Sequence, residues 1–320
     1  MKNVPAKKKI PTKKKIPMKK KAPTKFPLVL GKFRNETSKP WLGQDCWTQM
    51  VNKKDSIFLR PKEKGFPSVS QMTQWLNMRK TPVNIILNSS HARSYPPSDW
   101  DPKIINHKMV KTLYVANPTK IHSKIYPIPV GLKWQFKSTN LFGESKAKQI
   151  LLYRSVASSP EECKRLFSQN SRSLAIWLRP YKNTNAKTTY YRKSNKALQT
   201  PRSEIQKKIK SKYKMISTHR MNAVEYFQKL KKVEFVVSPA GKGLDTHCTW
   251  EALLAGCIPI VPHSTLDPVF ADLPVWLIND WVEVTDAAAE RISRDFRNRD
   301  TWNFEKLFTP WWEKKINTVS

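Results

Sequence analysis

Residues 238–253 combine the residue types that are best suited to hold an anion. The segment reads SPAGKGLDTHCTWEAL and follows the apolar run 235–237, which is predicted to be a strand. Gly241 and Gly243 allow the backbone to approach a ligand closely and to adopt positive φ. Lys242 adds a mobile positive charge. A strand followed by a glycine loop and a helix is typical of the phosphate-binding half of a nucleotide fold, so the segment predicts a diphosphate site.

A helix predicted over residues 246–255 would complete this site. Asp245 or Thr246 can cap its first turn, and the remaining amide groups, with the positive end of the helix dipole behind them, would face the loop. His247 and Glu251 are four residues apart and share a face. The carboxylate can accept hydrogen bonds from two ribose hydroxyls, and the histidine can contact a phosphate or an acceptor. On these residues alone, a tight strand–helix turn with a satisfied cap explains the pattern equally well.

The elements that must position this loop follow from the apolar pattern. Predicted strands cover residues 83–87, 112–116, 125–130, 150–153, 235–237, 258–261 and 275–278. Predicted helices cover residues 69–78, 160–169, 204–213, 223–231, 246–255, 287–297 and 302–315. Strands that alternate with helices predict an α/β fold with a parallel sheet. Residues 170–220 are rich in Ser, Asn, Lys, Arg and Tyr, and they are predicted to form a long loop or insertion.

The charge of the chain calls for an anionic partner. The 320 residues carry a formal net charge of +35, of which eleven lysines in residues 1–25 supply a part, so the remainder still carries +24. Residues 7–25 repeat the pattern Lys-Lys-Lys-apolar-Pro-polar. Proline at every sixth position and mutual repulsion of the lysines predict a disordered basic arm. Such an arm can contact an anionic membrane or nucleic acid, or serve only solubility.

Cysteine usage and hydropathy indicate the compartment. The four cysteines, Cys46, Cys163, Cys248 and Cys257, follow neither a disulfide-rich nor a zinc-binding spacing, which predicts free thiols in a reducing environment. The sequence has no apolar run of membrane-spanning length, and no apolar stretch follows the N-terminal lysines as it would in a signal peptide. A cytoplasmic location without a transmembrane segment is therefore expected.

Three stretches of the chain resemble the exostosin-like glycosyltransferase family, which includes relatives in algae and large algal viruses. They are KIYPIPVGL (124–132), FVVSPAGKGLDTHCTWEALLAGCIPIV (235–261) and LDPVFADLPVWLINDWVEVT (266–285). The resemblance implies a GT-B fold, in which two Rossmann-like domains face each other across a cleft. It implies an inverting, metal-independent transfer of a sugar from a nucleotide-sugar donor, with UDP expected, to a glycan acceptor. The nucleotide sugar is then a substrate, and no cofactor is expected.

The resemblance also implies roles for individual residues. Gly241, Gly243 and Asp245 match the phosphate loop, and Glu251 matches the carboxylate expected near the ribose. The chain has Ala240 and Cys248 where the family often has arginine. Basic residues predicted to replace those arginines are Lys242, Arg154 and Arg220. An ion pair with Glu225 is nearly as good an explanation of Arg220.

The residue that accepts the proton of the acceptor hydroxyl is expected in the first half of the chain. Asp99-Trp-Asp101 resembles the Asp-x-Asp metal motif of another glycosyltransferase fold, but it lies between prolines in a loop, and short matches of this kind arise by chance. The same loop, with His91, can instead supply the catalytic base. No metal site is predicted.

The predicted organisation has four parts. These are a disordered arm (1–25), an acceptor-side α/β domain (26–140), a nucleotide-sugar-binding Rossmann-like domain (141–300) and a C-terminal helix that packs back on the first domain (301–320). An alternative function is also open: a basic protein that binds nucleic acid or an anionic polysaccharide on a degenerate glycosyltransferase scaffold.

Overall fold

The computed structural model of the chain describes residues 56–59, 68–87, 101–132, 152–153, 155–169, 172–179, 195–217, 221–241 and 243–318, and only the backbone for 56–59. The predicted N-terminal arm and five predicted site residues lie outside the described residues. Those five are His91, Asp99, Arg154, Arg220 and Lys242.

The first sheet has four strands in the order β1-β2-β3-β4, and every neighbouring pair is parallel. The strands are β1 (Ser56–Leu59), β2 (Val83–Leu87), β3 (Val110–Ala116) and β4 (Ile125–Ile128). Helices α1 (Val69–Asn77) and α2 (Pro102–Ile105) lie between them in the chain. All residues of β2 are buried, as expected of a parallel strand that is covered on both faces.

The second sheet has five parallel strands in the order β6-β5-β7-β8-β9. The strands are β5 (Ser173–Leu178), β6 (Lys214–Ile216), β7 (Val233–Val237), β8 (Ile258–Pro262) and β9 (Trp276–Ile278). The helices of this part are α3 (Pro160–Ser168), α4 (Lys196–Gln199), α5 (Ile205–Lys208), α6 (Ala223–Leu230), α7 (His247–Leu254), α8 (Asp267–Phe270), α9 (Asp286–Arg297) and α10 (Thr309–Thr318). The predicted α/β fold with parallel strands is confirmed.

The interpretation of residues 170–220 as a long loop was wrong. The segment contains the fully paired strand β5, the edge strand β6 and the short helices α4 and α5. The predicted helix over 204–213 is only four residues long, because Ile209 is fully buried in an extended conformation (ψ 113°) that ends α5. The predicted strand over 150–153 was also wrong, since Leu152 and Tyr153 are helical.

The aromatic C-terminus forms two helices instead of the predicted single one. A 3-10 helix covers Phe304–Leu307, and Phe308 is then extended (φ −123°, ψ 147°). Pro310 lies in the first turn of α10, where its missing N–H costs nothing. The amide Nδ2 of Asn84 in β2 donates to the carbonyl oxygen of Ile316 at 3.0 Å, so α10 lies against the first sheet.

One continuous core joins the two sheets. It contains Ile86 and Tyr114 of the first sheet together with Trp177 and Phe235 of the second. A second, smaller core covers the other face of the first sheet around Leu113. Three of the four cysteines are described, and all three are free thiols. Within the described residues, no helix has the length and apolar character needed to cross a membrane.

Candidate active site

The loop between β7 and α7 lies at the topological switch point of the second sheet. The chain runs from β5 outward to β6 and then returns past β5 to β7, so the strand order reverses between β5 and β7. Ligands of open parallel sheets bind at the carboxyl ends of the strands at such a point. Arg179 follows the carboxyl end of β5, and Ser238 follows that of β7.

The two glycines of the loop pack closely against other segments, and the buried side chain of Asn117 makes the contact at Gly243 the stricter one. Neither has positive φ, contrary to the conformational freedom expected for them. A Cβ at Gly243 would lie 2.8 Å from Oδ1 of Asn117, and a Cβ at Gly241 would lie 2.7 Å from Nη2 of Arg202. The loop is closed by a hydrogen bond of 2.8 Å from the N–H of Gly241 to the carbonyl oxygen of Gly243.

Asn117 connects the first sheet to this loop. It follows β3, is fully buried and has φ 56°, a left-handed conformation that asparagine tolerates better than most residues. Its Oδ1 accepts the backbone N–H of Asp245 at 2.7 Å. The sequence analysis missed Asn117, although the Asn-Pro pair after a predicted strand is a recognised turn signal.

Asp245 makes a second connection between the sheets. Its Oδ2 accepts the backbone N–H of Val130, which follows β4, at 2.7 Å. The indole N–H of Trp250 lies 2.9 Å from both carboxylate oxygens. The carboxylate is therefore committed to contacts inside the protein, and the carboxyl edges of the two sheets face each other at this point.

Burial raises the pKa of Asp245 to about 7, although hydrogen bonds from Val130, Trp250 and Thr246 act in the opposite direction. A folded-state pKa above the unfolded value means that the folded protein binds the proton more tightly. The resulting stabilisation is fully present below the unfolded pKa near 3.8 and is lost as the pH rises to about 7.

Replacing Asp245 by asparagine is expected to remove this pH dependence. The free energy of unfolding of the wild type, relative to Asp245→Asn, should fall by up to about 4 kcal/mol between pH 4 and pH 7 and then level off. Urea unfolding of both proteins across this pH range measures the difference in free energy of unfolding. The other carboxyl groups titrate alike in both proteins, so their contributions cancel. A difference that stays constant with pH would contradict the prediction.

The first turn of α7 has no side-chain cap. Thr246 occupies the N-cap position, but its hydroxyl makes no capping hydrogen bond. Instead it lies 2.8 Å from the hydroxyl of Ser238, which also lies 2.8 Å from the hydroxyl of Thr249. This turn therefore keeps the polarity that favours an anion in front of it.

His247 is oriented by the first sheet. Its Nδ1 lies 2.7 Å from the carbonyl oxygen of Gly131. A carbonyl oxygen can only accept, so Nδ1 carries a proton. In the neutral ring Nε2 is then an acceptor. His247 is a third connection between the loop and the strand ends of the first sheet.

Glu251 is held by tyrosine hydroxyls below the first turn of α7. Tyr226 donates to Oε2 at 2.9 Å and Tyr153 donates to Oε1 at 3.3 Å, and only 5% of Glu251 is exposed. Burial, with contributions from Cys248 and Glu251, raises the pKa of Tyr226 well above its ordinary value. Its hydroxyl therefore remains a donor at neutral pH.

Two arginines, Arg202 and Arg179, are connected to Ala240 and to the first turn of α7. Arg202 donates to the carbonyl oxygens of Pro239 and Ala240 at 3.0 and 2.8 Å. Arg179 donates to the hydroxyl of Tyr226 at 3.2 Å and lies 4.6 Å over its ring.

The same tyrosine hydroxyl contacts Sγ of Cys248 at 3.8 Å. Arg179 is thus connected through one side chain to the first turn of α7. The sequence analysis did not select either arginine, since both lie within the segment that was interpreted as a loop.

The carboxyl end of α7 is fixed as firmly as its beginning. Gly256 ends the helix with φ 76°, and a Cβ there would lie 2.8 Å from the backbone of Leu166. Arg172 donates to the carbonyl oxygen of Ala255 at 2.5 Å. This end of α7 therefore cannot shift without disturbing α3.

The remaining predicted carboxylates have local partners. Asp101 caps α2, and its Oδ1 accepts the backbone N–H of Lys103 at 2.8 Å. Asp267 accepts the N–H of Ser264, and Asp280 caps a 3-10 helix, so both carboxylates fix local turns. Among the described residues, no group of three or more His, Cys, Asp or Glu is placed to hold a metal ion.

Comparison with known proteins gives only weak structural likeness. No protein family matches the chain, and no curated protein sequence matches it either. The chain is similar to the solved structure of an alpha-glucosyltransferase in complex with UDP and a 13-mer DNA containing a HMU base, with 10% sequence identity and a TM-score of 0.31. The match covers 84% of this chain and 79% of the other. Because likeness at this level establishes neither fold nor function, the function is argued from the site itself.

Proposed function

We propose that the chain is a glycosyltransferase that moves a sugar from a UDP-linked donor to a hydroxyl group of a glycan, with inversion and without a bound metal. The observation that carries this proposal is the position of the β7–α7 loop. It lies at the switch point of a parallel sheet and in front of an uncapped helix, it contacts Arg202, and Arg179 is connected to the first turn of that helix through Tyr226. Each of these features favours a diphosphate at the same place.

Arg202 and Arg179 are proposed to have different electrostatic roles. Arg202 holds the backbone of the loop at Pro239 and Ala240, so it is a positioning residue that also brings positive charge. Arg179 is fixed by Tyr226 near the first turn of α7. Charge grows on the diphosphate as its bond to the sugar breaks, so donors that are already oriented stabilise the transition state most.

The chemical step needs one proton acceptor. The acceptor hydroxyl attacks the anomeric carbon, the bond from that carbon to the diphosphate oxygen breaks, and UDP leaves with the bonding electrons. Asp101, with His91 and Asp99, remains the proposed source of the base. His247, which is oriented by Gly131, is proposed to contact a phosphate or the acceptor.

Binding of UDP tests the donor site directly. By calorimetry, Arg179→Ala and Arg202→Ala should each weaken UDP binding by roughly 10- to 100-fold, because hydrogen bonds to a charged group contribute about 1.5–3 kcal/mol. Uridine lacks the diphosphate, so its affinity should change far less. Arg291→Ala, on the exposed side of α9, is the matched control and should leave both affinities unchanged.

Two results would contradict this assignment. An equal loss of uridine and UDP binding would mean that the arginines only maintain the fold. Failure of the wild type to bind any nucleotide would exclude the enzyme and favour the alternative, a polyanion-binding protein on a degenerate scaffold.

A further inference from the structure

The positive charge of the chain is concentrated outside the proposed donor site. Residues 221–320 contain 11 Lys and Arg but 14 Asp and Glu, so their net charge is −3, whereas residues 1–220 have a net charge of +38. A diphosphate needs only one or two cations. The excess in the first part of the chain therefore points to a second, larger anionic partner.

Part of this charge is collected at the amino edge of the first sheet. Three segments lead into β2, β3 and β4, namely 78–82, 106–111 and 120–124, and we call them together the basic edge. They contain six cations and no acid: Arg79, Lys80, Lys108, Lys111, Lys120 and Lys124. Because parallel strands all begin at the same edge, this surface lies on the opposite side of the sheet from the carboxyl ends that face the candidate active site.

Contacts within the three segments and at the residues that flank them hold the basic edge together as one surface. Nε2 of His107 lies 3.0 Å from Oδ1 of Asn77, at the end of α1. The ammonium group of Lys124 donates to the carbonyl oxygens of His107 and Val110 at 3.0 and 2.8 Å. The N–H of Val83 donates to the carbonyl oxygen of Met109 at 2.8 Å.

Two large aliphatic side chains are exposed within this charged surface. Ile121 is 87% exposed and Met78 is 51% exposed. Aliphatic side chains among cations suit an interface with lipid, where they enter the headgroup region while the cations meet phosphates and carboxylates. Single-stranded nucleic acid would in addition call for open aromatic rings on which its bases stack. The nearby ring of Trp75 already has the guanidinium of Arg79 over it, at 5.1 Å.

We propose that the basic edge docks the protein on an anionic lipid membrane. The lysine-rich residues 1–25 lie outside the described residues, and the proposal rests on the basic edge alone. The donor site then opens away from the membrane plane. This docking does not depend on the proposed sugar transfer.

Sedimentation with vesicles tests the docking surface in the full chain. The wild type should bind phosphatidylcholine vesicles that contain phosphatidylserine and should not bind pure phosphatidylcholine vesicles. The triple variant Arg79→Glu, Lys80→Glu, Lys108→Glu should bind at least roughly tenfold more weakly, since each cation near the surface contributes about 1 kcal/mol. The double variant Met78→Ser, Ile121→Ser should also bind more weakly, and its loss should persist at high salt.

A second triple variant separates the basic edge from net charge. Lys232→Glu, Arg291→Glu, Arg294→Glu makes the same change in charge on exposed positions around the second sheet and should bind vesicles within about twofold of the wild type. Equal losses in the two triple variants would overturn the proposal. It would also be overturned if duplex or single-stranded DNA bound more tightly than the vesicles and depended on the same three residues.

Discussion

Gly243→Ala is expected to destabilise the protein by about 1–3 kcal/mol, because an added methyl group has no room in the packed contact with Asn117. The new Cβ would lie within 2.9 Å of three atoms of the Asn117 side chain. Asn117 is fully buried and accepts the N–H of Asp245, so it cannot move aside without breaking that hydrogen bond. Thermal and urea unfolding measure the loss.

The same substitution should impair the proposed chemistry beyond its effect on stability. Moving Asn117 away from Gly243 shifts the loop against the carboxyl edge of the first sheet, where the acceptor is expected. Misplacement of a reacting group by about 1 Å can cost on the order of 100-fold in rate. Transfer measured well below the unfolding temperature should fall by that order, while the variant remains folded by circular dichroism.

A double-mutant cycle with Asn117→Gly identifies the cause. Glycine accepts the φ of 56° at this position and leaves space for the methyl group at residue 243. Asn117→Gly alone should cost about 1–3 kcal/mol, because the buried N–H of Asp245 loses its acceptor. The double variant should then be no less stable than Asn117→Gly, within about 0.5 kcal/mol. If the two costs add instead, the clash is not the reason for the glycine.

The central elements of the fold could be predicted from the sequence because they are locally encoded. Residues 83–87 match β2 in both bounds, and residues 246–255 contain α7 within a residue at each end. Both segments are apolar enough to be recognised without context, and Gly256 ends the helix where expected. Burial on both faces of a parallel sheet produces such continuous apolar runs.

Strand β5 was missed although its apolar run, Leu174 to Leu178, is as long as β2 and contains no polar residue. The surrounding segment is rich in lysine, serine and asparagine, a composition that favours a loop. The place of β5 between β6 and β7 is a long-range pairing, which composition does not reveal.

The partners of the predicted site residues were likewise beyond local reasoning. The sequence predicts an anion site in residues 238–253, but not that the carboxylate of Asp245 is hydrogen-bonded by Val130 and Trp250. Nor could spacing reveal that Arg202, which lies 38 residues before Ala240, reaches its carbonyl oxygen. Contacts between distant segments decide which polar groups remain for a ligand.

Glu251→Gln is expected to reduce the preference of the protein for ribose over deoxyribose. Each carboxylate oxygen of Glu251 accepts one tyrosine hydroxyl, and a carboxylate oxygen can accept a second donor. The proposed second donors are the two ribose hydroxyls. Removing those hydroxyls should therefore weaken binding to the wild type by roughly 10- to 100-fold, the contribution of hydrogen bonds to a charged group.

Calorimetry with UDP and with its 2′,3′-dideoxy analogue measures this preference as a ratio of affinities. Glu251→Gln keeps the size of the side chain but replaces one acceptor oxygen by a donor, so the ratio should fall to within about threefold of one. Tyr153→Phe is the matched control. It removes the longer of the two tyrosine hydrogen bonds, 3.3 Å, and leaves the charge of Glu251 in place, so the ratio should survive.

The ratio distinguishes a ligand contact from a structural role, because a loss of folded structure weakens the binding of UDP and of its dideoxy analogue by the same factor. If Glu251 served only to hold Tyr226 and Tyr153, Glu251→Gln would lower both affinities by the same factor and leave the ratio at its wild-type value. The hydrogen bond between Arg179 and Tyr226 allows the role of the arginine to be tested separately. Tyr226→Phe would release Arg179, so it should weaken the binding of UDP more than the binding of uridine. The preference for ribose should persist, since Glu251 itself is unchanged.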